Sequence, residues 1–213
     1  QLSMTAPLLD LHLFENRTFT LATISAMLHN FVMSGSAILI PTLMQTVYHS
    51  TATMTGLFML IPALVFAMVS PVAGKIYDTF GIRNLYIFSS IALFVTHGYM
   101  VFATETTPVL LVMAIYALRN AALAVLMMPV ITWGMGALPK EQYSQGTAVM
   151  NTFKNVAGAI GSAVVIGFMA FITQVNAGNP HADMYGFNGA FAFTTVFTIF
   201  MAVIAFLIKP GKE

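Results

Sequence analysis

Gly74-Lys75-Ile76-Tyr77-Asp78-Thr79-Phe80-Gly81-Ile82-Arg83 is a short polar connection between two long apolar runs, and those three pieces together decide the fold. Gly74 lets the run before it end close against a neighbour. Asp78 can face the positive N-terminal end of another helix. Gly81 permits a tight turn, and Arg83 can pair with Asp78 or with a lipid phosphate. On one side lies Met54 to Gly74, on the other Leu85 to Ala103. Each is close to the ~20 mostly apolar residues that a helix needs to cross ~30 Å of hydrocarbon.

Four more runs of that kind complete the chain. Helix A spans Phe19 to about Val47, helix B Met54 to Gly74, helix C Leu85 to Ala103, helix D Val109 to Trp133, helix E Gly146 to Thr173 and helix F Phe187 to Ile208. The expected fold is an all-α membrane protein, a bundle of six transmembrane helices over residues 19–208. Pro108 opens helix D, where a missing N–H costs little. Gly178-Asn179-Pro180 breaks the chain between E and F. Pro41, Pro62 and Pro129 lie inside apolar runs, where kinks are expected. No strand-period alternation suggests a membrane β-barrel. Of the 213 residues, 58% are apolar and 7% charged. A soluble domain carries about 25% charged residues, so this set cannot clothe a soluble surface. A net charge of +1 argues against a nucleic-acid partner. Cysteine is absent, which removes disulfides, thiolate metal sites and a cysteine nucleophile.

Orientation follows from the basic residues. Outside the helices stand Arg17, Lys75, Arg83, Lys140, Lys209 and Lys212. All fall before A, between B and C, between D and E, or after F. The A–B, C–D and E–F connections hold none, which by the positive-inside rule places both ends of this segment in the cytoplasm of a multi-pass cell-membrane protein. Residues 1–18 read as an amphipathic lead-in on the cytoplasmic surface, with Leu8, Leu9, Leu11, Leu13 and Phe14 as its apolar residues. Residues 209–213 are a short cytoplasmic tail. Residue 1 is Gln, and no basic-apolar-small layout of a signal peptide precedes Arg17. The expectation is a piece of a longer protein, cut on its N-terminal side.

Two cations lie inside the runs. Arg119 is ten residues into helix D and Lys154 eight residues into helix E, roughly 15 Å and 12 Å from opposite faces at 1.5 Å per residue. A cation at that depth costs ~2.5–3.5 kcal/mol on insertion scales and usually faces a bundle interior or a wet cavity. Snorkelling or a bond to backbone carbonyls is the plainer reading. Around them Asn151, Asn155, Gly158 and Ser162 share one face of helix E, and Thr23, Met27, Asn30 and Ser34 one face of helix A. Asn120 follows Arg119. These polar stripes suit a substrate cavity, and equally interhelical hydrogen bonds and close packing. His97 in helix C suits a proton relay or a satisfied packing residue. The acids Asp10, Glu15, Asp78, Glu105, Glu141, Asp183 and Glu213 all lie outside the helices, whereas proton-coupled pumps usually carry embedded carboxylates. Any such carboxylate is expected elsewhere in the polypeptide. No paired-carboxylate site, HExxH or Walker loop is present, so neither an enzyme nor a cofactor is expected.

The pattern G-x-x-x-D-x-x-G-x-R after a second helix resembles the signature loop of the major facilitator superfamily, whose transporters join two six-helix halves. Asn84 stands where the full signature has a second basic residue, which favours the copy in the second half. Two further stretches look like the fourteen-helix drug:proton antiporters of the EmrB/QacA type. One is Pro7-Leu8-Leu9-Asp10-Leu11-His12-Leu13-Phe14-Glu15-Asn16-Arg17-Thr18-Phe19. The other runs from Gly146-Thr147-Ala148-Val149-Met150-Asn151 through Lys154-Asn155 and Gly158 to Gly161-Ser162-Ala163. The resemblance covers nearly the whole chain. It implies the C-terminal half of a proton-coupled multidrug exporter, partnered by an N-terminal half of the same polypeptide, lipid, protons and a drug-like small molecule. It implies a cavity lined by A, B, D and E, for which the embedded polar residues read above, Arg119, Asn120, Lys154, Asn151, Asn155, Asn30 and Ser34, are the candidate lining. C and F would lie toward lipid. Gly74, Asp78, Gly81 and Arg83 would form the gating loop. The rivals are a single-substrate transporter of the same fold for an anionic or neutral molecule, and a six-helix membrane enzyme or scaffold.

Overall fold

In a computed structural model, residues 11–208 are described. The lead-in's residues 1–10 and the tail 209–213, with Lys209 and Lys212, lie outside that range. A 3-10 turn, Leu11–Glu15, precedes α1 (Arg17–Thr46), α2 (Ala52–Val101) and α3 (Val109–Gly136). After a second 3-10 turn, Lys140–Gln142, come α4 (Tyr143–Val175) and α5 (Ala182–Leu207). Among the described residues there is no strand, and the five helices are each long and apolar enough to cross a membrane. Their starts follow local chemistry. The Asn16 side chain accepts from the N–H groups of Thr18 (3.0 Å) and Phe19 (3.2 Å) and opens α1. Thr51 accepts from Met54 N–H and opens α2. Pro108 stands at the start of α3.

Helix α2 is 50 residues long and would extend about 75 Å if straight. It is not straight. At Gly81 the backbone takes φ 69° and ψ 161°, a region open essentially to glycine alone. The limbs 52–80 and 82–101 fold back on each other there. Their far ends meet the same neighbour: the Tyr48 hydroxyl, just before α2, donates to the carbonyl oxygen of Thr107 (2.8 Å), just after it. Burial, and then the nearby Tyr99, push the Tyr48 phenol above its ordinary value, so it stays protonated as that donor. Five helical elements thus give six helical segments, α2 supplying two of them. The connection expected over 75–84 is shorter than its polar sequence suggests. Lys75 to Phe80 stay helical, with the Thr79 hydroxyl donating to Lys75 C=O (2.8 Å), and Asn84 Nδ2 donates to Phe80 C=O (3.0 Å) across the break. Asn84 thus gives the Phe80 carbonyl a side-chain donor beside the break.

Helix α1 lies at the centre. It packs against α3, α4 and α5, whereas α3 and α4 scarcely touch. The limbs of α2 pack on α3 and α5. One apolar cluster gathers Leu13, Ile82, Leu138 and Ile208 at one end of the bundle. Another gathers Met44, Met100, Val112 and Met184 at the opposite end. At the first end, Asn16 Nδ2 donates to Ala137 C=O (2.8 Å) and ties the start of α1 to the end of α3. At the other, Asn188 Nδ2 donates to Ala103 C=O (3.1 Å), and His181 pairs with Glu105 at 2.8 Å. Exposed Leu57, Leu64, Met68, Phe88, Phe200 and Phe206 form the apolar outside that a bilayer would cover.

The break at Gly81 generates a direct test. Gly81→Val should lower stability by ~1–3 kcal/mol, read as a fall in the thermal unfolding midpoint in detergent. Gly98→Ala, in helical backbone with nothing within 4 Å of the new methyl, should show no such fall.

Candidate functional site

Helix α1 presents two adjacent polar faces, one to α3 and one to α4. On the α3 side His29, Val32, Met33 and Ser36 recur at helical spacing. Arg119, 3% exposed, reaches across from α3. Its Nη2 donates to Val32 C=O (3.0 Å), to Met33 C=O (3.3 Å) and to the Ser36 hydroxyl. Nη1 donates to Asn120 Oδ1 (2.8 Å), and the guanidinium carbon sits 5.1 Å from the centre of the Tyr116 ring. The fork of donors on a planar guanidinium is what allows one side chain to serve four acceptors. Of its nitrogens only Nε lacks a partner among the described residues. Arg119 and Asn120 are thus brought together in a seam between α1 and α3.

On the α4 side, Asn30 Nδ2 donates to the backbone carbonyl of Lys154 (2.8 Å). Helix α4 comes so close because it presents glycine. A Cβ on Gly161 would lie 2.6 Å from Phe31 C=O, so that position has no room for a side chain. Gly158 faces Asn30 and Ser34 in the same way. Lys154 lines a small cleft with Ala26, His29, Asn30, Leu126, Met127, Val130 and Ile131. Asn30, Ser34 and Lys154 therefore meet at one junction. Asn151 is half-buried and Asn155 exposed on α4, and neither side chain has a hydrogen bond among the described residues.

The loop residues lie apart from this junction. Gly81 makes the break, Gly74 is exposed within α2, and Asp78 is exposed. Neither Asp78 nor Arg83 has an ion-pair partner among the described residues, so the two do not pair with each other. Arg83 Nε is buried without an acceptor. His97 is fully buried, with Nδ1 2.8 Å from Leu93 C=O and its ring 5.5 Å from Phe191 of α5. It packs where the second limb of α2 meets α5. Sequence reasoning passed over His29 and Ser36. Their seven-residue spacing marks one helix face, but choosing it over the Asn30–Ser34 face requires knowing that Arg119 approaches from that side.

Residues 4–162 match the Major Facilitator Superfamily. The chain belongs to that family. It is 32% identical over 216 residues to the MFS-type transporter YcnB of Bacillus subtilis strain 168, spanning 100% of this chain and 46% of YcnB. It is 30% identical over 212 residues to the lincomycin resistance protein LmrB of Listeria monocytogenes, spanning 97% of this chain and 45% of LmrB. It is 28% identical over 194 residues to the multidrug export protein EmrB of Escherichia coli K12, spanning 83% and 36%. The chain thus spans about half the length of the curated relatives it matches. As a member of a transporter family with several long apolar helices, it is a multi-pass membrane protein and not an enzyme.

The Arg119 seam depends on the fork, not on charge alone. Arg119→Lys keeps the charge and loses most of the four contacts. It should cost ~1.5–3 kcal/mol, the range for hydrogen bonds to charged groups, measured by unfolding in detergent. Stability equal to the parent protein would show that the guanidinium geometry contributes nothing.

Proposed function

We propose that this chain is the C-terminal six-helix half of a secondary transporter that exports drug-like molecules in exchange for protons. The observation that carries the proposal is the junction of α1, α3 and α4. There, polar and cationic side chains meet inside a bundle whose exterior is apolar. Side chains so costly to place in hydrocarbon mark transport pathways. The similarity to LmrB and EmrB, named for lincomycin resistance and multidrug export, supports drug-like cargo.

In this reading an N-terminal half of the same polypeptide faces the junction and supplies the proton-carrying carboxylates. Lys154, Asn30, Ser34, Asn151 and Asn155 line the pathway, while Arg119 with Asn120 holds α1 against α3. The two halves rock about a midplane site and open it to one side at a time. Both ends of the segment are cytoplasmic, since Arg17, Arg83 and Lys140 fall at the end of the bundle where Leu13, Ile82 and Leu138 cluster. Exposed and unpaired Asp78 is free to meet a helix N-terminus of the other half, a contact of ~0.3–1 kcal/mol at an exposed site. Such a contact biases two states that differ by a few kcal/mol.

The test uses inside-out membrane vesicles bearing the native polypeptide. With the vesicle interior made acidic, at least one of a set of anionic, neutral and cationic lipophilic dyes should accumulate, and a protonophore should collapse the accumulation. Lys154→Ala should reduce it several-fold at equal protein abundance. Accumulation that ignores the proton gradient would refute the coupling.

A further inference from the structure

His29 is 4% exposed, and neither ring nitrogen has a hydrogen-bond partner among the described residues. A neutral imidazole carries one donor and one acceptor, and a buried polar group without a partner is unfavourable. The ring borders the cleft that Lys154 also lines, between α1, α3 and α4. The cleft has a volume of about 10 Å³, room for a single oxygen-sized atom. The charged groups near enough to act on His29 are Arg119 from α3 and Lys154 from α4, both cationic. No acid lies in the cleft wall. Glu15, Asp78, Glu105, Glu141 and Asp183 all sit at helix ends, near the α2 break or in connections.

Charge decides what fits. A proton on His29 would add a third positive charge beside two, and a cationic ligand would do the same. A neutral ligand could hydrogen-bond to the ring but would leave the positive field uncompensated. An anionic oxygen accepts from His29, faces the Lys154 ammonium and offsets the field at once. We propose that His29 and Lys154 form a subsite for one oxygen of a carboxylate on the transported molecule. Asn30 is a positioning residue, holding the Lys154 backbone beside the ring through its 2.8 Å bond. One oxygen enters the cleft, and the remainder of the ligand lies outside its mouth. The inference rests on the proposed transport function and gives that site its ligand class.

The experiment is equilibrium binding to the native polypeptide in detergent, with two probes alike except in charge: 2-naphthoate and 2-naphthylmethylammonium. Naphthoate should bind at least tenfold more tightly. His29→Ala and Lys154→Gln should each weaken naphthoate at least fivefold and leave the ammonium unchanged or tighter. Lys154→Arg, which keeps the cation, should stay within about twofold of the parent. The proposal is overturned if the parent protein binds the ammonium as well as naphthoate, or binds naphthoate not at all. It is equally overturned if Lys154→Gln keeps full naphthoate affinity. Because the parent protein and Lys154→Gln suffice, a poorly folding His29→Ala does not remove the test. Binding is read apart from transport, so the two readings fail separately. Naphthoate preference without gradient-driven export sinks the coupling and supports the subsite. Gradient-driven export without that preference sinks the subsite alone.

Discussion

A guanidinium buried in an apolar bundle must find acceptors inside the bundle, and Arg119 finds them on α1. Val32 C=O, Met33 C=O and the Ser36 hydroxyl all lie on one face of that helix. In hydrocarbon there is no water to take their place. The contact therefore sets both the distance and the rotation of α1 relative to α3. Since α3 and α4 scarcely touch and α1 packs on both, the placement of α1 largely shapes the junction.

The two seams of α1 work by different physics. Toward α3 the contact is polar and directional. Toward α4 it is steric: Gly158 and Gly161 admit the Asn30 and Phe31 side of α1, and Gly35 admits Val165. Close approach of this kind gains dispersion contacts where no hydrophobic driving force acts between helices in lipid. The Asn30 bond to Lys154 C=O adds register to that contact. At the bundle ends, Asn16 to Ala137 and Tyr48 to Thr107 fasten the same helix again. A unit tied at both ends and at its middle is suited to move as a rigid body, as the proposed rocking between two access states requires.

Much of the fold was legible because it rests on length and polarity. Runs such as Val109 to Trp133 are too long and too apolar for any use except crossing hydrocarbon, and α3 spans Val109–Gly136. Gly81 was legible as a turn, since its flexibility is a property of the residue itself. The continuation of helix through Lys75 and Asp78 was not, because polar residues leaving a membrane can extend a helix as readily as end it. Asn84 showed only as a departure from a pattern, while its bond to Phe80 C=O depends on the geometry of the break. The site was less legible still. Arg119 and Lys154 stand out in sequence by charge and depth, yet Arg119 lies in a seam and Lys154 beside a cleft. His29 carries no signal of its own. Its isolation is a tertiary fact, arising from which face of α1 the neighbouring helices leave without partners.

The central claim is that the α1–α3–α4 junction opens on a polar pathway, unlike the apolar exterior of α5. These 213 residues carry no cysteine, so once any cysteine elsewhere in the polypeptide is replaced, single cysteines report on them cleanly. With Asn151→Cys and Asn155→Cys on α4 set against Phe200→Cys and Phe206→Cys on α5, a membrane-impermeant maleimide should be applied to the native polypeptide in open membrane sheets. The account predicts ready labelling of the α4 pair, slowed by transported substrate, and none of the α5 pair. An α4 pair as unreactive as the α5 pair would place that face in lipid and contradict the account.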